Sequence, residues 1–156
     1  MAESPQIVRR GSCYCGDVSY EVKGNPLFSV YCHCTQCQRS FGAVFVNAIH
    51  FTPAAFSWTF SAENNPEAEA QEGCTVYRCK KCRGAPATQM SDTQNWALRG
   101  TQLERDEDGR IKQWEDVIAE RSYLVFQKGG GCRRLLCPSG QDSLMRRRDW
   151  VEFSFW

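Results

Sequence analysis

Apolar and polar positions alternate along much of the chain, but only over short distances. In Gly16–Val22 the apolar Val18, Tyr20 and Val22 are separated by polar residues, the period of a strand with one buried face. Leu27–Tyr31 is a second short apolar run, Val44–Phe51 a third and Phe56–Phe60 a fourth. Pro53-Ala-Ala-Phe56 lies between the last two and predicts a one-turn connector. Ala62–Gly73, rich in Glu, Asn and Ala, reads as a polar loop with room for a short helix over Glu67–Glu72. Thr75–Cys79 is strand-like again. Leu103–Gly109 is charged and closes on Asp108-Gly109, a turn signal. Trp114–Ile118 fits either a helical turn or a strand. No long helical period occurs, so the pattern predicts a mainly β chain of short strands and long loops. Phe41, Phe45, Phe51 and Phe56 are expected in the core. Trp58 and Trp96 also read as core, with the wall of a substrate cleft as their other use.

After Gln127 the pattern breaks at Gly129-Gly-Gly131. The reading is one domain over residues 1–128 and a basic, aromatic tail over 129–156, which holds Arg146-Arg-Arg148 and ends on Trp156. Composition supports a packed core, with 42% hydrophobic and 12% aromatic residues. Charge narrows the function. Lys and Arg number 19 against 18 Asp and Glu, which argues against a dedicated nucleic-acid-binding face. The arginine run is then expected to be a solvated tail. The first ten residues carry no apolar signal-like stretch. The most apolar segment, Phe41–Phe56, is interrupted by Asn47, His50 and Pro53 and is too short for a membrane span. The expectation is a cytoplasmic protein in a reducing compartment, where thiols bind metals rather than pair as disulfides.

The chain has 10 cysteines. Six form three tight pairs, Cys13/Cys15, Cys34/Cys37 and Cys79/Cys82, and Cys32 stands just ahead of the second. Tetrahedral zinc with Zn–S bonds of about 2.3 Å needs its sulfurs roughly 3.8 Å apart. Residues i and i+2 of a regular strand lie roughly 6.5–7 Å apart, so a C-x-C pair shares a metal only if the backbone bends. Gly11 and Gly16, which flank Cys13-Tyr14-Cys15, would permit the bend. C-x-x-C at Cys79–Cys82 has knuckle spacing. The two pairs together offer four thiolates, the closed set of a structural zinc. Cys32-His33-Cys34-Thr35-Gln36-Cys37 offers three thiolates and an open position, the pattern of a catalytic zinc. His33 would close that site as a fourth ligand. Its two neighbours must already turn inward, so its side chain is expected to point away. Lys80, Lys81, Arg83 and Arg39 are placed to offset thiolate charge or to be ordinary surface. Cys74, Cys132 and Cys137 read as free thiols without a role. Only His33 and His50 are available as imidazole bases, and Asp17, Glu21 and Asp92 as carboxylates.

Gly11-Ser-Cys-Tyr-Cys-Gly16-Asp-Val-Ser-Tyr20, Cys32-His-Cys-Thr-Gln-Cys37-Gln-Arg39 with Gly42, and Tyr77-Arg-Cys-Lys-Lys-Cys82 together resemble the glutathione-dependent formaldehyde-activating enzyme family, to which centromere protein V also belongs. Asn95-Trp-Ala-Leu and Gln102–Gly109 are similar to a later stretch of that family, and the resemblance spans about residues 9 to 118. It implies a zinc-stapled β-tent of small antiparallel sheets with few short helices. It implies a structural zinc on Cys13, Cys15, Cys79 and Cys82, and a catalytic zinc on Cys32, Cys34 and Cys37. It also implies a carbon–sulfur lyase-type reaction joining formaldehyde and glutathione into S-hydroxymethylglutathione. Two other readings fit the same residues: a glutathione-assisted isomerase or lyase of a biosynthetic pathway, and a non-catalytic zinc module that binds a partner. Members usually carry glycine directly after the second knuckle cysteine, whereas here Arg83 intervenes. The segment from Gly129 onward has no counterpart.

Overall fold

The computed structural model describes residues 7–118 and 121–123, so the 129–156 tail, with Cys132, Cys137 and Arg146–Arg148, lies outside the described residues. The chain is mainly β. Strands β1 (Val8–Ser12), β2 (Ser19–Lys23) and β5 (Phe56–Trp58) make a three-stranded sheet in the order β1-β2-β5. A seven-stranded sheet is built from β3 (Phe28–Cys32), β4 (Val46–Phe51), β6 (Glu67–Gln71), β7 (Cys74–Arg78), β8 (Ala87–Met90), β9 (Trp96–Arg99) and β10 (Arg121–Tyr123). Its order is β10-β3-β4-β9-β8-β7-β6, and every pairing but the parallel β10–β3 is antiparallel. One α-helix, α1 (Thr35–Phe41), leads from β3 toward β4.

The core lies where the two sheets meet. Tyr20 and Val22 of β2, Ile49 and Phe51 of β4, Phe56 of β5 and Trp96 and Leu98 of β9 are buried together, joined by Ala87, Leu103 and Val117. Phe56 stacks on Trp96 at 4.0 Å, and Trp58 meets Phe56 edge-on at 4.8 Å. Trp58 and Trp96 therefore pack as core. The expected strands are present at Ser19–Lys23, Phe28–Cys32, Val46–Phe51, Phe56–Trp58 and Cys74–Arg78, and Pro53–Ala55 is a 3-10 turn as expected. Asp106–Arg110 closes a turn on Gly109, and Trp114–Asp116 takes the helical alternative.

Three expectations need correction. Glu67–Gln71 is a strand rather than a loop or helix. It pairs with β7 around a tight Glu72-Gly73 turn, and that pairing overrides the helical preference of Glu and Ala. Phe45 is 48% exposed rather than core, because it precedes β4 and leans on Tyr31 and His33 at the surface. Gly11 does not serve to bend the chain. It sits inside β1, where a Cβ would fall 2.3 Å from Tyr20 Oη.

Candidate metal centres

The first cysteine group lies where a turn of each sheet meets. Cys13 and Cys15 occupy the turn between β1 and β2 of the small sheet, and Cys79 and Cys82 the turn between β7 and β8 of the large one. Gly16, at φ +83°, closes the first turn by donating its N–H to Cys13 O at 3.1 Å, and this supplies the bend that C-x-C requires. The second turn closes through Cys79 N–H to Gly84 O at 2.9 Å and Arg83 N–H to Cys79 O at 3.0 Å. All four sulfurs lie within 4.8 Å of one another, with Cys13–Cys15 and Cys15–Cys79 both at 3.6 Å. Those spacings are close to the ~3.8 Å that tetrahedral zinc asks of its sulfurs. Cys13 Sγ also accepts the Val18 N–H at 3.4 Å, which orients the sulfur.

Arg83 follows the knuckle with φ +61°, in the left-handed region where glycine is the easy residue. Its guanidinium offsets that strain by reaching Glu67 and Glu69 on β6. Lys81 pairs with Asp17 at 3.3 Å, so it sits beside the thiols, and Asp17 is committed to it. Lys80 is exposed.

The second group forms where β3 runs into α1. Cys34 is the helix N-cap, extended at φ −67° and ψ 148°, and its Sγ accepts the Cys37 N–H at 3.3 Å. Cys32 Sγ lies 3.5 Å from Cys34 Sγ, and the three sulfurs of Cys32, Cys34 and Cys37 fall within 4.8 Å of one another. The helix buries no residue, which is why no apolar period announced it. It is fixed instead by its caps, Cys34 at one end and Gly42 in the left-handed conformation at the other. Arg39, in its last turn, complements the helix dipole.

His33 is not a member of the sulfur group. Its ring lies 5.6 Å from that of Phe45, as the turned-away reading expected. His50 stacks on Phe28 at 4.2 Å. Glu21 is engaged by Arg10 and Lys23 on the small sheet, and Asp92 accepts the Thr93 N–H in a turn. No contact ties Asp17, Glu21 or Asp92 to Cys32, Cys34 or Cys37 among the described residues.

The sulfurs set one another's ionisation. The Cys32 and then the Cys37 thiol hydrogen-bond to Cys34 and pull its pKa far below that of a free thiol. Contacts with Cys32 and Cys34 push Cys37 up, and the contact with Cys34 pushes Cys32 up. In the first group, burial pushes Cys13 up to about 12. Burial also opposes ionisation of Cys82, but backbone contacts of Cys15 and Gly84 and the neighbouring thiols lower it to about 6. Each group thus holds an ionised sulfur beside protonated ones, and a cation would displace the remaining protons.

Sequence reasoning missed two residues at the second group. Cys74 of β7 lies 3.9 Å from Gln36 Nε2 of α1, and Gln36 also donates to Gln71 Oε1 and Glu72 O. Arg99 of β9 is buried beneath the helix, its guanidinium carbon 4.2 Å from the centre of the Phe41 ring. Neither position is legible in the sequence, because both follow from strands distant in the chain, and the helix α1, being laid side by side.

The ordered cysteine groups have a match among family models: that of the glutathione-dependent formaldehyde-activating enzyme covers residues 8–117. The chain belongs to this family. The match spans both cysteine groups and every described strand but β10. A solved structure, the crystal structure of a Rhodobacter sphaeroides protein, superposes with a TM-score of 0.51 at 22% identity. It covers 65% of this chain and 96% of the other, and the likeness is one of fold. No match is found among curated proteins. For a member of the formaldehyde-activating family, the all-sulfur donor sets and their spacings fit zinc, and both groups could hold it. No helix among the described residues is long and apolar enough to cross a membrane.

Proposed function

We propose that this protein is a zinc-dependent enzyme of the carbon–sulfur lyase type, acting on a glutathione adduct or a small carbonyl compound as in S-hydroxymethylglutathione formation. One observation carries the reading. A group of three cysteines with no fourth protein ligand among the described residues lies in the same domain as a closed group of four. Cys13, Cys15, Cys79 and Cys82 would hold a structural zinc. Cys32, Cys34 and Cys37 would hold the catalytic one. Bound there, zinc supplies Lewis acidity toward a carbonyl oxygen and stabilises a thiolate at neutral pH.

The chain's own residues do the rest. The Cys37 N–H fixes Cys34 Sγ, so one sulfur of the set is held by backbone. Tyr31, His33 and Phe45 pack ring against ring beside the cysteines and form an apolar rim for a small substrate. A reducing cytoplasm, which keeps the thiols available for metal and is rich in glutathione, suits this chemistry.

Zinc counting on the full chain, paired with Cys34→Ser, tests the proposal. The expected result is two zincs in the wild type, one in the variant, and loss of formaldehyde–glutathione condensation with the fold retained. Unchanged turnover in a folded Cys34→Ser variant refutes it. A single tight zinc in the wild type, with the three-cysteine group empty, supports a non-catalytic zinc module instead.

A further inference from the structure

Arg99 is a buried cation without an obvious anion. Its residue exposure is 7%, and no carboxylate pairs with it among the described residues. Nη1 donates to the Ala97 carbonyl at 3.1 Å and Nη2 to Thr88 Oγ1 at 2.8 Å, while Nε has no partner. Arg78, which also lies over the Phe41 ring at 5.6 Å, differs: its charge is met by Glu69 at 2.7 Å. A fully desolvated guanidinium is costly unless an opposite charge is near.

The sheet register shows where that charge lies. Arg99 is opposite Ala48 on β4, and Cys32 is opposite Val46 on the same strand. Directly opposed residues share a face, and Val46 and Ala48 are two apart, so Arg99 and Cys32 project from one face of the large sheet. Strand spacing and rise place their Cα atoms about 12 Å apart, and the guanidinium turns toward Thr88 of β8, on the side of the sheet that α1 reaches through Gln36 and Ser40. Phe41, which the guanidinium covers, is the last residue of the helix that carries Cys37. Burial lowers the pKa of Arg99, and Cys37, Tyr20, Cys74 and Cys32 act in the opposite direction.

We propose that Arg99 is the counter-ion of the Cys32–Cys34–Cys37 thiolate set and biases the open position beside it toward an anionic thiolate over a neutral ligand. The inference rests on the three-thiolate reading above. Three thiolates around a divalent ion leave one net negative charge, so a fourth thiolate is repelled and a neutral ligand is not. A fixed positive charge about 10 Å away, at an effective dielectric of about 20, shifts the binding of a singly charged ligand by roughly tenfold and leaves a neutral ligand nearly unaffected. Arg99 is thus a positioning residue for charge: it need not touch the substrate to select a thiol.

The test uses the full chain loaded with cobalt(II), whose sulfur charge-transfer absorption reports each added thiolate. The loaded protein is titrated at pH 8 with 2-mercaptoethanol and, separately, with imidazole. In Arg99→Met the thiol dissociation constant is expected to rise about tenfold while that of imidazole moves less than about threefold, and Arg99→Lys is expected to keep both near wild type. Equal weakening of both ligands marks a merely structural role and overturns the proposal, as does an unchanged thiol titration. If Arg99→Met does not fold, Arg99→Lys decides: loss of the thiol preference with the charge retained overturns it. A wild type that takes up only one cobalt defeats the three-thiolate reading and this inference with it. Two cobalts with an Arg99-independent thiol preference defeat this inference alone.

Discussion

Gly11→Ala should destabilise the protein although it changes no metal ligand. Gly11 sits in β1 opposite Tyr20, and an added Cβ would lie 2.3 Å from Tyr20 Oη, 2.4 Å from Tyr20 Cζ and 2.7 Å from the Gln102 carbonyl oxygen. None of these atoms is the free end of a flexible chain. Tyr20 is 0% exposed in the core between the sheets, and Gln102 presents backbone. Relief therefore requires β1 to move away from β2 or Tyr20 to leave its site. Overpacking of this kind costs about 1–3 kcal/mol. The stiffer unfolded chain of an alanine variant returns about 0.4–1 kcal/mol. Because one contact is with backbone and two are with a rigid ring, the upper half of the cost range applies and the net loss is about 2 kcal/mol. The melting temperature should fall by roughly 5–10 °C.

The assay is urea unfolding at a fixed zinc concentration, since bound metal adds to apparent stability. A double variant sharpens it. Tyr20→Leu removes the ring, so Gly11→Ala should cost at least about 1 kcal/mol less on that background. A neutral Gly11→Ala, or strict additivity with Tyr20→Leu, refutes the crowding argument.

The pH dependence of metal binding should report the proton count of the three-cysteine group. Cys34 is ionised without metal, because its neighbours hydrogen-bond to it, and Cys32 and Cys37 are pushed up and stay protonated near neutrality. Loading a divalent ion then displaces two protons, so affinity should rise about a hundredfold per pH unit between roughly pH 6 and 8 and fall equally on acidification. Chelator competition across that range checks the sign and slope, and a slope of one proton contradicts the assignment. At the knuckle, Arg83→Ala keeps the left-handed backbone and loses the Glu67 and Glu69 pairs, so its midpoint in denaturant unfolding should fall below that of wild type. Arg83→Gly relieves the backbone as it loses the pairs, so its midpoint should lie above that of Arg83→Ala. Leu98→Ala, at 0% exposure in the core between the sheets, should cost about 2–5 kcal/mol in the same measurement.

The sequence by itself determined the thiol donor sets and much of the strand content. C-x-C, C-H-C-x-x-C and C-x-x-C are local spacings, and a thiol pair two or three residues apart meets a metal with little help from the rest of the fold. The alternation of Val18, Tyr20 and Val22 is equally local, and β2 follows it. Where structure departed from expectation, the deciding contact was distant in the chain. Glu67–Gln71 became a strand because β7 pairs with it, and α1 formed from its caps without an apolar stripe. Ligand count and the family resemblance both put the C-x-C pair with the distant C-x-x-C pair, but neither shows how the chain brings them together. The structure closes the four-cysteine group because it brings the β1–β2 turn against the β7–β8 turn. Arg99 gave no sequence signal, since a charged residue next to Leu98 reads as the solvent side of a strand. Only the stacking of α1 and Phe41 over that face buries it, and a long-range packing surface of that kind is written in no single stretch of sequence.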